Sequence, residues 1–125
     1  MVGNAERIGD HAMNIAGYEA LIRKKELGFS KAALAELNEM KEFSTKLKKA
    51  ILEPRDQARL SEHVHAMERE TDLAVANYRK QQLVRLKDES CSMETAIIYS
   101  ELLVDYERIG DHALNIAQEY SGIRM

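Results

Sequence analysis

An all-α fold, an antiparallel up-down bundle of four helices, is what the sequence predicts, and three observations carry it. Apolar residues recur every three or four positions through four long segments, the spacing of one helix face. Six glycines, a single proline and 6% aromatic residues are poor material for the strands and tight turns of a β fold. The breaks between segments are short, which makes successive helices antiparallel neighbours. At 125 residues, 45% hydrophobic and 31% charged, the chain is expected to form one domain over residues 1–125 with a real core.

The first helix is expected from Asn4 to Glu26, with Gly28 as its terminator. Ser30 then caps a second helix whose apolar positions are Leu34, Leu37, Phe43, Leu47 and Ile51. Pro54 stops that helix and sits in the first turn of the next, a long one from Arg55 to Leu86. Its seam reads Leu60, Val64, Met67, Thr71, Ala74 and Tyr78, which puts Glu68 and Asp72 beside the seam. After a polar link at residues 88–90, Ser92 caps a last helix from Met93 to Tyr120, with Ile98, Leu102, Ile109, Ala113 and Ile116 on one stripe.

One stretch occurs twice. Residues 6–16 and 107–117 are identical except that Met13 stands where the second copy has Leu114. A run mixing charges, glycine, histidine and asparagine exceeds anything helical periodicity demands, so one end of the chain repeats the other. Each copy carries a glutamate and an aspartate four positions apart, Glu6 with Asp10 and Glu107 with Asp111, and Glu68 with Asp72 is a third such pair. Like charges at this spacing cost about 0.2–0.5 kcal/mol on an exposed helix, so one pair needs no cation. Three pairs on helices that face one another can together supply the several oxygens a hard or borderline cation takes.

The run from Asp105 to Ala113, reading Asp-Tyr-Glu-Arg-Ile-Gly-Asp-His-Ala, closely resembles the signature of the PhoU family of phosphate-uptake regulators. That family is a double three-helix repeat, and Glu68 with Asp72 matches the acidic pair of its second helices. On this resemblance, residues 1–27 are the last helix of a first repeat and residues 30–121 the whole of a second. The resemblance implies metal ions, iron or zinc clusters, held on the bundle surface by Glu68, Asp72, Glu107 and Asp111, and by Glu6 and Asp10 in the first repeat. It also implies a regulatory role, not an enzymatic one, exerted on a membrane phosphate transporter or its sensor. The His and Asn that follow the aspartate are more similar to PhoU-type domains of sodium/phosphate cotransporters. Relative to the whole family pattern the helices that would pair with Glu6 and Asp10 are missing, and a homodimer covering the apolar surface so left is expected.

Each feature also has a plainer reading. A single acidic pair is a solvated face, or an ion-pair partner for Arg7 and Arg108. Glu101 and Asp105 lie toward Arg108 and are expected to form a salt bridge there. Gly9 and Gly110, costing about 1 kcal/mol each inside a helix relative to alanine, are explained by close approach of a neighbouring backbone. His11 and His112 fit interhelical hydrogen bonds or a role behind a metal ligand, and His63 and His65 point to different sides. Two other functions compete: a metal-free helical interaction module, and a carboxylate-bridged di-iron enzyme. The second wants Glu-x-x-His on two helices, whereas this chain offers only His65-x-x-Glu68, in reverse order.

A net charge of −3 gives no footprint for nucleic acid. No apolar run approaches the length of a membrane span, the N-terminus lacks a signal-peptide plan, and Cys91 is alone. A cytoplasmic setting, peripheral to or tethered at the inner face of a membrane, is the expectation.

Overall fold

The computed structural model describes residues 2–52, 59–88 and 91–120. It contains four helices, α1 (Val2–Lys25), α2 (Lys31–Leu52), α3 (Leu60–Lys87) and α4 (Met93–Tyr120), with no strand among the described residues. No described helix is long and apolar enough to cross a membrane. The expected roles of Pro54 and Arg55 lie outside the described residues.

Both serine caps form. Ser30 Oγ accepts the Ala33 N–H at 3.1 Å, and Ser92 Oγ accepts that of Thr95 at 3.1 Å, each satisfying an amide that the first helical turn leaves without a partner. The end of α1 differs from expectation. Gly28 is not the terminator; Glu26 takes the left-handed position, at φ 52°. Its N–H reaches the Arg23 carbonyl at 3.3 Å while that of Leu27 reaches Ile22 at 3.1 Å, the paired bonds of a Schellman motif. Leu27 then packs on the core, which places the reversal two residues before the glycine.

Antiparallel neighbours are visible in the contacts. Lys25 at the end of α1 meets Glu94 at the start of α4 at 2.8 Å, whereas Asn4 lies against His112. On α2 and α3, Glu36 pairs with Arg85 and Glu39 accepts the Tyr78 hydroxyl. Helix α4 packs against all three others, and α1 rides chiefly on α4. The arrangement is therefore a three-helix bundle of α2, α3 and α4 with α1 laid along the outside of α4.

The core is divided. One cluster is built on Met40, Val75, Tyr99, Leu103 and Ile109; the other on Leu47, Ile51, Leu60, Val64, Ala113 and Ala117. Between them, each helix of the trio changes character: Ser44 on α2, Glu68 and Thr71 on α3, Gly110 on α4. The expected stripe on α4 is buried in full. On α3 the seam is rotated, with Glu68 and Val75 buried while Met67, Ala74 and Tyr78 are half-covered. Glu68 thus stands in the seam, not beside it. On α2, Ala33 and Met40 are buried and Leu34 is exposed, so that stripe also turned from its expected line. Both shifts follow from α4 lying centrally, where it draws a face of each partner that a search for large apolar residues alone does not find.

Far from the polar layer, the first cluster is fastened by charge. Arg85 donates twice to Glu36, at 2.6 and 3.3 Å, and stands 5.5 Å above the Tyr99 ring; the buried Tyr99 hydroxyl donates to the same carboxylate at 2.5 Å. The forked guanidinium satisfies both carboxylate oxygens, which removing either partner would undo.

Glu26 supplies a test. A left-handed conformation costs a residue with a Cβ about 1–2 kcal/mol, partly offset by the larger unfolded-state entropy of glycine. Glu26→Gly should therefore stabilise the chain by about 0.5–1 kcal/mol, read as a higher urea midpoint at unchanged slope.

Candidate metal centre

Glu68 and Asp72 stand one turn apart on α3, and Asp111 faces them from α4. One carboxylate oxygen from each of the three lies within 4.8 Å of the other two. Glu68 is only 8% exposed, whereas Asp72 and Asp111 lie nearer solvent, so the cluster opens outward from a buried base. Gly110 lies at this approach. A Cβ there would sit 3.4 Å from Glu68 Cγ and 3.8 Å from Leu47 Cδ1, at van der Waals contact already, so nothing larger than a methyl group fits. The close approach expected at this glycine is real, but side chains, not backbone, make it. At Gly9 the expectation fails, since nothing lies within 4 Å of an added Cβ.

Three carboxylates this close cannot all be charged cheaply. Each charged pair repels by a few kcal/mol at about 4.8 Å and an effective dielectric of about 20, before screening of the exposed members. Burial, a hydrogen bond to Asp111 and the charge of Asp72 push Glu68 up to about 8. Burial and Asp111 push Asp72 upward as well. Without a cation Glu68 holds a proton at neutral pH. Its donors are all carboxylate oxygens, the set that hard and borderline cations accept, and a cation there would replace the proton.

The remaining candidates stand apart. Glu107 lies one turn before Asp111, half-buried, with Oε1 3.3 Å from Arg79; it is not one of the three converging carboxylates. Glu6 and Asp10 are exposed and meet no third carboxylate at that spacing among the described residues. The two copies of the repeat thus have different surroundings. Gly110 and Ala117 are buried and Leu114 packs on the second cluster, whereas Gly9 and Ala16 are exposed and Met13 is 75% exposed.

The two copies do meet along α1 and α4. His11 and His112 stack with ring centroids 5.8 Å apart and planes 17° from parallel. His11 Nδ1 donates to Asp105 at 2.8 Å and Asn14 donates to the same oxygen at 3.4 Å. His112 Nδ1 donates to Asn4 Oδ1 at 3.0 Å and Asn115 donates to it at 3.5 Å. The second set is the first turned about a local two-fold axis through the stacked rings. Asp105 is therefore buried and held by α1, which corrects the expected bridge toward Arg108. Burial, then His11, then Arg7 hold His112 below the usual histidine range. Asn4, and the pairing of Asp105 with α1, do not follow from helical spacing. The shift that carries Glu6 to Glu107 also carries Asn4 to Asp105, and that correspondence was the available signal.

The PhoU domain family model matches residues 35–120, which takes in α3, α4 and most of α2. Comparison with characterised proteins and with solved structures gives no significant match.

The cluster makes a pH dependence. Glu68 binds its proton more tightly folded than unfolded, so its contribution to stability is complete below about 4.5 and is lost as pH rises through about 8. In chelator, thermal melting should therefore fall in temperature across that window, and Glu68→Gln should flatten the fall. An unchanged slope in the variant would assign it to other groups.

Proposed function

Because the chain belongs to the PhoU domain family, we propose that it is a regulator of phosphate uptake that works as a metal-binding domain. The observation that carries this is the convergence of Glu68, Asp72 and Asp111 across α3 and α4. These residues fit a cation by donor chemistry and by the proton that Glu68 otherwise retains. The cation is iron or zinc, and its contribution is positive charge that ties a buried carboxylate of α3 to α4. Glu68, Asp72 and Asp111 would hold it, which would fix how the two helices lie, and in its absence Glu68 takes a proton instead. Glu107, one turn along α4, is placed to join a larger cluster once Arg79 lets go.

The charged face so presented acts on a membrane phosphate transporter or its sensor, from the cytoplasmic side. The phosphate part of this reading comes from the family alone. The regulatory, non-enzymatic reading likewise comes from the family. The chain also forms a homodimer through α1, whose outward face, Gly9, Met13 and Ala16, matches the face that α4 buries.

Elemental analysis of tag-free protein tests the metal. Stoichiometric iron or zinc in the wild type, lost in Glu68→Ala/Asp111→Ala and retained in Glu6→Ala/Asp10→Ala, is the expected result. Negligible metal in all three after reconstitution would leave a metal-free interaction module. For the dimer, sedimentation equilibrium should give twice the chain mass for the wild type and a monomer for Met13→Glu; a monomeric wild type at high concentration would refute it.

A further inference from the structure

The face of α3 that carries Glu68 and Asp72 runs on for two turns to Arg79, and the face of α4 that carries Asp111 runs back one turn to Glu107. Arg79 and Glu107 meet, with one guanidinium nitrogen 3.3 Å from Glu107 Oε1. The pair is loose. Its side chains are 48% and 30% exposed and one long hydrogen bond joins them, whereas Arg85 grips Glu36 with two bonds and both are nearly covered. An exposed ion pair held by a single bond contributes little to stability and yields readily to a stronger partner. With Glu107 included, four carboxylates stand along the α3–α4 contact and carry four negative charges when all are ionised. One divalent cation together with Arg79 supplies three positive charges, and two divalent cations supply four. Arg79 is the countercharge that the chain itself puts in the place of a second cation.

We propose that Arg79 sets the capacity of the metal centre: while it holds Glu107, only Glu68, Asp72 and Asp111 are open and one divalent cation is taken, and once it is withdrawn Glu107 becomes available and a second is taken. This inference rests on the metal-binding reading above and adds the residue that limits it. Arg79 is a positioning residue, acting through Glu107 and holding no cation itself. Glu107 does not stand alone as a ligand. Asp72 and Asp111, the less buried members of the cluster, each offer a second oxygen besides the one that converges, and Glu107 adds its pair to these. The other conspicuous arginine of α3, Arg85, is fixed in the first apolar cluster by two bonds and has no such freedom.

The test is calorimetric titration of zinc(II), and separately of iron(II) without oxygen, into the full chain stripped by chelator, beside Arg79→Gln, Glu107→Gln and the double variant. With at least one of the two metals the wild type should take one ion per chain. Arg79→Gln should take a second, at a free concentration about tenfold or more below any at which the wild type does so. Glu107→Gln and the double variant should each take one ion. The stripped proteins should melt within about 2 °C of one another, as the loss of a loose exposed pair requires. A stripped Arg79→Gln that melts far lower would make Arg79 a residue that holds the fold and overturn the premise. A second ion that persists in the double variant overturns the route through Glu107, and a wild type that takes two ions as readily as Arg79→Gln overturns the limit. One ion in both the wild type and Arg79→Gln overturns this inference alone; a wild type that takes neither metal overturns the metal-binding reading and this inference with it.

Discussion

Burial of the Glu68 carboxylate is the constraint from which most of the architecture follows. A charged carboxylate shut between apolar layers is too costly to persist alone, so it takes a proton or a positive partner. The chain gives it no arginine or lysine among the described residues, and its nearest charged neighbours are Asp72 and Asp111, which make the problem worse. Everything around it accommodates that choice. Gly110 stands opposite Glu68 on α4 with room for no more than close contact, Thr71 directs its hydroxyl to the Met67 carbonyl, and the two apolar clusters close the core above and below. The polar layer is thus an interruption the core is built to contain. The Glu36, Arg85 and Tyr99 network, lying in the first cluster, keeps the three helices together where the layer cannot.

Helix α1 is held by a different logic. Its attachment to α4 depends on apolar packing by Ile8, Ile15, Tyr18 and Ile22 together with the paired histidine bonds, and Glu19 adds an ion pair to Lys41 of α2 at 3.6 Å. Identical sequence on both helices makes the contact nearly symmetric, while the outer surroundings of the two helices are not symmetric at all. The same glycine that is crowded on α4 faces open space on α1. A repeated sequence therefore plays two roles: on α4 it builds a cluster with α3, and on α1 it offers matching residues outward.

Much of this was legible in the residues, and the exceptions have physical causes. Four helices, both serine caps and the α4 stripe follow from local rules, which suffice where a face is uniformly apolar. The face of α3 was misjudged because its centre is a glutamate, and a pattern of hydrophobic positions skips the charged residue that a cluster requires inside. Glu26 was passed over because glycine is the usual occupant of a left-handed helix end, and here Leu27 decides the position by needing to reach the core. The acidic spacing picks out Glu6, Asp10 and Glu107 as readily as Glu68, Asp72 and Asp111, yet only the last three converge, while Glu107 stands 3.3 Å from Arg79. Spacing along one helix fixes which side chains share a face; it does not say what stands opposite.

Within the paired histidine bonds, the two-fold relation of α1 and α4 is broken by the exchange of Asp105 for Asn4. Had both positions been aspartate, each stacked ring would have faced a carboxylate, and each would have been drawn toward carrying a proton on both nitrogens. Two cationic imidazoles lying face to face would push the helices apart. With an amide on one side, only one ring has an anion to answer. The substitution also gives the seam a polarity: an α4 helix from another chain, presenting aspartate in place of asparagine, would be a poorer occupant of the α1 position than α1 itself. A single oxygen-for-nitrogen difference thereby lets a nearly palindromic contact tell its two halves apart.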